Sequence, residues 1–362
     1  MGIAHQKICV GMTQDIQLPD QETGSQHPRA VFDLFGHAHA ENELASSLQN
    51  GRSHHAWLIT GPKGVGKATL AYRFARRLLG AKPASGSPLA SDRDDPCVRK
   101  IAQGSHSDLR TATRFDPEKH EIKRDVSVAA IRELTAFFTM TADGANGARV
   151  GIVDCADDMS VSAANALLKT LEEPPPGATI ILIAHAPGRL LPTLRSRCRR
   201  LDLLPLSDQE MAMALPSMDA TTLALSGGRL GRAYALVHVQ GAKLYRLLTR
   251  HLAGLPRAPL DEALALADTT GDADTFHAVF DMLEDWLARA GRAGLGLSIR
   301  EVEPGESAVL ARLAANAGQD SCARAWSKVR DVRLRVESLN LDRSLATLDV
   351  LRTIREDLSP IH

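Results

Sequence analysis

Aromatic residues are scarce in this 362-residue chain, at 4 %. A core built largely without them relies on Leu, Ala, Val and Ile, which leans toward helices and α/β layers rather than a β-sandwich. Net charge is absent too: 43 Lys and Arg balance 43 Asp and Glu. That balance argues against a surface that coats nucleic acid, while leaving room for a local basic patch. No run of about 18 apolar residues occurs, so no membrane span is expected. The N-terminus lacks the apolar stretch of a secretory signal. The five cysteines (Cys9, Cys97, Cys155, Cys198, Cys322) are dispersed without a C-x-x-C, which predicts reduced thiols in a cytoplasm. Neither lone Cys97 nor His54, His55 and His106 offers metal-ligand spacing, and structural zinc needs four ligands, so no metal is expected.

What is present suffices for two or three domains with a real core. Residues 1–28 show no periodicity and predict a flexible extension. Residues 29–205 alternate between helical and strand patterns. A helix is expected at Ala38–Asn50, closed by Gly51-Arg52-Ser53, a buried strand at Trp57–Thr60, and a helix at Ala68–Leu79. Residues 81–105 read as a surface loop or insertion. A second strand at Leu109–Ala112, a helix at Ser127–Phe138 and a strand at Val150–Val153 follow. A helix at Ser162–Glu172, ended by Pro174, Pro175 and Pro176, then leads to a strand at Thr179–Ala184. This alternation predicts an α/β fold with a parallel sheet covered by helices on both faces. After Leu206 no strand pattern remains. Short helices broken by Pro216 and Gly227-Gly228 fill 206–242, and longer ones fill 243–362.

Three motifs carry chemistry. Gly61-Pro-Lys-Gly64-Val-Gly66-Lys67 follows a strand and opens a helix, the setting of a phosphate-cradling loop. Its glycines let backbone N–H groups face phosphate oxygens, and Lys67 reaches the outer phosphates. The next residue should carry a hydroxyl for Mg²⁺, but it is Ala68. Thr69 lies one step later, about 100° around the helix. Second, a strand-terminal Asp154 suits Mg²⁺, but the water-polarising glutamate expected after it is Cys155, a poor general base. Third, Ser196-Arg197-Cys198 places an arginine after the last sheet connection. On spacing alone Arg197 is either an ion-pairing surface residue within the cluster Arg195, Arg197, Arg199 and Arg200, or a guanidinium that stabilises a neighbour's transferring phosphoryl group. The same cluster is also a candidate nucleic-acid patch.

Asn165-Ala-Leu-Leu-Lys-Thr-Leu-Glu-Glu-Pro-Pro, followed by Leu191-Pro-Thr-Leu-Arg-Ser196-Arg197-Cys198, resembles the AAA+ clamp-loader subunits of bacterial DNA polymerase III. The resemblance covers roughly residues 29–205 well and the helical remainder loosely. Ala68 and Cys155 depart from the motor (gamma/tau) pattern. His54-His55-Ala-Trp57 and the intact Ser-Arg-Cys are similar to the stator branch, delta prime. The resemblance implies a P-loop α/β domain, a helical lid at 206–242 and a helical collar at 243–362. It implies that Arg197 acts in trans as an arginine finger on ATP held by a motor subunit. The chain's own nucleotide site (Gly61, Gly64, Gly66, Lys67, Thr69, Asp154) would then be degenerate, with ATP and Mg²⁺ held weakly. It implies motor and delta subunits as partners, and through them the sliding clamp and primed DNA. An ATP-hydrolysing motor of the same complex is the alternative. Many relatives hold zinc with four cysteines after the first helix; only Cys97 stands there, so no zinc is expected. Gly227-Gly-Arg229-Leu-Gly-Arg232 resembles the family's second sensor region, with its arginine out of register.

Overall fold

The computed structural model describes residues 18–49, 54–144, 147–317 and 320–359. Five parallel strands form the main sheet: β1 (Ala56–Thr60), β2 (Leu109–Ala112), β5 (Arg149–Asp154), β6 (Ala178–Ala184) and β7 (Arg199–Asp202). A two-residue hairpin, β3 (Phe115–Asp116) and β4 (Glu121–Ile122), stands apart. The order across the sheet is β2-β5-β6-β1-β7, so one strand separates the strand before the phosphate loop from the strand ending in Asp154.

Side chains alternate between two cores, as the period of a strand dictates. Trp57 and Ile59 of β1, Val150 and Ile152 of β5, and Ile181 and Ile183 of β6 face one side. There they meet α1 (Ala38–Gln49), α2 (Lys67–Leu78) and α3 (Pro96–Gln103) through Leu44, Leu70, Phe74 and Ile101. Ala56, Leu58, Val153, Ile180 and Leu182 face the other side. They pack on α4 (Val128–Thr139), α5 (Val161–Glu172) and α6 (Pro192–Arg195) through Ile131, Phe138, Leu167 and Leu194. Both faces of the sheet are therefore covered, which is why its central strands read as unbroken apolar runs.

Three short helices follow: α7 (Asp208–Ala214), α8 (Ala220–Ser226) and α9 (Leu230–His238). Their small core of Leu206, Met211, Leu215 and Ala233 also packs Phe35. Among the described residues, six longer helices come next: α10 (Gly241–Ala253), α11 (Leu260–Thr269), α12 (Ala273–Gly294), α13 (Glu306–Ala317), α14 (Ser321–Leu339) and α15 (Arg343–Asp357). α10, α13, α14 and α15 pack on α12, whose stripe of Phe276, Val279, Phe280, Leu283, Trp286 and Leu287 is buried, and α11 packs on α15 and α10.

The segment 81–105, expected to be loop, holds α3. Asp95 caps that helix by accepting from Cys97 N, Pro96 fills its first turn and Gly104 closes it at φ +74°. Cys97 is not alone there: its Sγ lies 3.5 Å from His106 Nε2. β7 was also unforeseen, because arginines disguise an edge strand that buries only Leu201. Of the expected N-terminal extension, residues 1–17 lie outside the described residues, as do Asn50 and the stop at Gly51-Arg52-Ser53. Residues 18–28 run over the phosphate loop and α9, with Lys63 3.3 Å from Glu22. No described helix is long and apolar enough to cross a membrane.

Candidate functional site

The strands deliver three candidate groups to one edge of the sheet, the carboxyl end where ligands bind in open parallel α/β folds. β1 runs straight into Gly61, and α2 starts at Lys67, so the helix N-terminus points its free N–H groups into the loop. Gly61, Gly64 and Gly66 have φ of +144°, +79° and +112°, a backbone path closed to most side chains. Lys67 is 3 % exposed. Its ammonium donates to Gly61 O at 2.7 Å and Pro62 O at 2.8 Å, turned back on its own loop. Burial lowers its pKa to about 8, against the pull of Cys155 and Asp154. Ala68 packs its methyl toward the sheet core, and Thr69 follows it on α2.

Asp154 ends β5 beside this loop. Burial drives its carboxyl up to about 8, with Asp20 adding to the rise and Lys67 opposing it. Cys155 is buried, and its thiol donates to the Asp157 carboxylate, which also accepts from the backbone N–H groups of His185 and Ala186 at 2.9 Å each. Burial first, then the Asp157 contact, push that thiol far above the ordinary cysteine range. It holds its proton and cannot activate water. His185 was missed in the sequence, where it reads as one polar residue after an apolar strand. Its ring is kept neutral by burial, with a pKa near 4. Ligand atoms of Asp154, Cys155 and His185 lie within 4.8 Å of one another, a grouping that sequence spacing hid. Lys67 already brings positive charge to this group.

The arrangement departs from that of a magnesium-nucleotide site. No hydroxyl follows Lys67, the lysine is engaged by loop carbonyls, and α9 closes on the loop through Gly231 N donating to Gly64 O at 2.9 Å. The arginines at the start of α9 have partners within the chain: Arg229 Nε donates to Ser226 O, and Arg232 pairs with Asp285 of α12 at 2.7 Å.

Arg197 lies outside this pocket. It follows α6, two residues before β7, and its guanidinium pairs with Glu172 at 2.6 Å and donates to Thr193 O at 3.0 Å. Its side chain is 35 % exposed. Arg199 pairs with Glu43 and Arg200 with Asp202. Three of the four arginines in the cluster thus already face carboxylates, which weakens the case for a nucleic-acid patch.

Residues 36–207 match the family model described as DNA polymerase III, delta subunit. The chain is 32 % identical over 328 residues to DNA polymerase III subunit delta' of Escherichia coli (strain K12), covering 88 % of this chain and 94 % of that relative. It is 37 % identical over 216 residues to the subunit delta' of Pseudomonas aeruginosa, covering 57 % of this chain and 62 % of the relative. Subunit tau of Bacillus subtilis (strain 168) is 31 % identical over 209 residues, covering 56 % of this chain and 34 % of the relative. A phosphate loop without its hydroxyl, a strand end without its glutamate and similarity along nearly the whole Escherichia coli subunit converge: the chain belongs to the delta' family of DNA polymerase III clamp-loader subunits.

Proposed function

We propose that this chain is a stator subunit of the clamp loader. It joins motor (gamma/tau) and delta subunits and presents Arg197 to ATP held by a neighbouring motor, in support of ATP-dependent loading of the sliding clamp onto primed DNA in the cytoplasm. One observation carries the reading: Arg197 stays accessible outside the chain's own pocket, while that pocket pairs a core-facing Ala68 with a proton-holding Cys155. A guanidinium supplied in trans stabilises charge on the transferring phosphoryl group, which is worth about 10³–10⁵ in rate in characterised systems. The chain's own binding of ATP and Mg²⁺ at Gly61, Gly64, Gly66, Lys67, Thr69 and Asp154 is weak in this reading. The experiment is Arg197→Ala in a reconstituted loader. Clamp- and DNA-stimulated ATP hydrolysis should fall; unchanged hydrolysis sinks the finger role.

A second reading, an ATP-hydrolysing motor, draws on the complete Gly-x-x-x-x-Gly-Lys run and the similarity to tau. It requires Mg²⁺-dependent turnover by the purified chain alone, abolished by Lys67→Ala.

A further inference from the structure

Residues 18–25 lie against the glycine loop, against α9 and against α12. Asp20 pairs with His27 at 3.2 Å, with side chains only 6 % and 9 % exposed. Glu22 pairs with Lys63 on the phosphate loop at 3.3 Å. Its Cγ lies so close to α9 that a Cβ added to Gly231 would come within 2.8 Å of it, and within 2.8 Å of Gly64 Cα as well. Thr23 Oγ1 lies 3.5 Å from Asp274 Oδ1 of α12. Gly24 turns at φ +74° against Tyr234 and His238 of α9, where a Cβ would come within 3.1 Å of Tyr234 O. The turn is held internally by Ser25 N and Oγ, both donating to Glu22 O, and by Gln21 Nε2 donating to Ser25 O.

Glu22 is thereby fixed beside the glycine loop, and Asp20, two residues earlier, is held by His27. Their charge reaches Asp154 and Lys67: Asp20 and Glu22 both raise the pKa of Asp154, and Glu22 also acts on Lys67. A cleft of about 340 Å³ remains next to the segment, bordered by Glu22, Lys63, Arg232 and His277.

We propose that residues Asp20–Gly24 form an acidic strap that occupies the mouth of the nucleotide cleft and competes with nucleoside polyphosphates for the phosphate loop. The inference rests on the reading of Gly61–Lys67 as a phosphate loop, and not on Arg197. A polyphosphate entering the closed cleft meets two like charges and the Glu22–Lys63 contact, and has to displace both. Apparent affinity is then the intrinsic affinity reduced by the fraction of chains with the strap released. A strap closed in 99 % of chains weakens binding about 100-fold.

The experiment measures binding of fluorescent ADP and ATP analogues to the full chain, with and without Mg²⁺. Asp20→Ala combined with Glu22→Ala should tighten binding at least about 10-fold. Gly24→Val, which disfavours the left-handed turn without removing a charge, should act in the same direction and guards against a folding defect in the double variant. Adding Lys67→Ala should cancel both gains, which locates the nucleotide at the loop. Unchanged or weaker binding in the folded strap variants overturns the proposal. So does a gain that survives Lys67→Ala. Because these variants keep Arg197, ATP hydrolysis in the reconstituted loader tests the finger independently of the strap.

Discussion

Arg197 holds Glu172 at 2.6 Å, tying the arginine after α6 to the last residue of α5. Their side chains are 35 % and 49 % exposed, so the pair contributes no more than about 1 kcal/mol. The arginine can therefore exchange this partner for another anion at little cost. Glu172→Gln should change the unfolding free energy by less than about 1 kcal/mol and leave loader ATP hydrolysis intact. Arg197→Ala should be equally benign to stability, yet slow hydrolysis at the facing motor site by about 10³-fold or more. Denaturant unfolding and loader ATPase assays, run on both variants, separate the two effects.

Inside the sheet domain the opposite regime holds. Arg73 of α2 donates to Glu41 of α1 through Nε at 2.9 Å and a terminal nitrogen at 2.7 Å, and also to Phe32 O. Both side chains are nearly inaccessible, at 7 % and 5 %. Glu41→Ala strands the guanidinium without its counter-charge and should cost about 3–5 kcal/mol, read as a lower denaturant midpoint at unchanged slope.

Asp154 predicts a pH signature. Its folded pKa of about 8 lies above the unfolded value, so the protonated form is the one that favours folding. That contribution is complete below about pH 4 and is lost progressively as pH rises through about 8. Asp154→Asn removes the loss. The variant's melting temperature should match the wild type near pH 4 and exceed it increasingly up to about pH 8, then hold a constant lead. Parallel melting curves across that range would contradict the burial assigned to this carboxyl.

Asp95 tests the helix that the sequence concealed. Its carboxylate accepts from Cys97 N at 2.8 Å and Lys82 N at 3.1 Å, which holds it below the usual carboxylate range despite some desolvation. Asp95→Ala should cost about 1 kcal/mol through the lost cap. It should also speed alkylation of Cys97, whose thiol is raised to about 11 mainly by burial and then by the Asp95 charge.

Much of the sheet was legible because each buried strand is a short apolar run with a turn signal after it. Trp57–Thr60 before Gly61 and Thr179–Ala184 before His185 read almost at their observed limits. The glycine loop was legible because its φ angles demand glycine. Helix α3 was obscured by the Pro- and Ser-rich residues before it, although the Asp95-Pro96 start and Gly104 stop were in plain view. Strand β7 was hidden by its position: at an edge, one buried leucine suffices and arginine is tolerated. Contacts distant in sequence could not be read at all. Nothing local ties His185 to Cys155 or Glu22 to Lys63; each pair meets only in the folded chain, and Cys97 meets His106 only once α3 and its Gly104 stop have formed.

Strand β7 also constrains how another protein can approach. It closes the sheet on one side, and Arg199, Arg200 and Asp202 project from it into solvent while Leu201 alone turns inward. An incoming strand would have to bring its backbone between charged side chains already held by Glu43 and by each other. This edge of the sheet is therefore protected against growth into a neighbour. A partner docking on this flank has to engage it side chain to side chain.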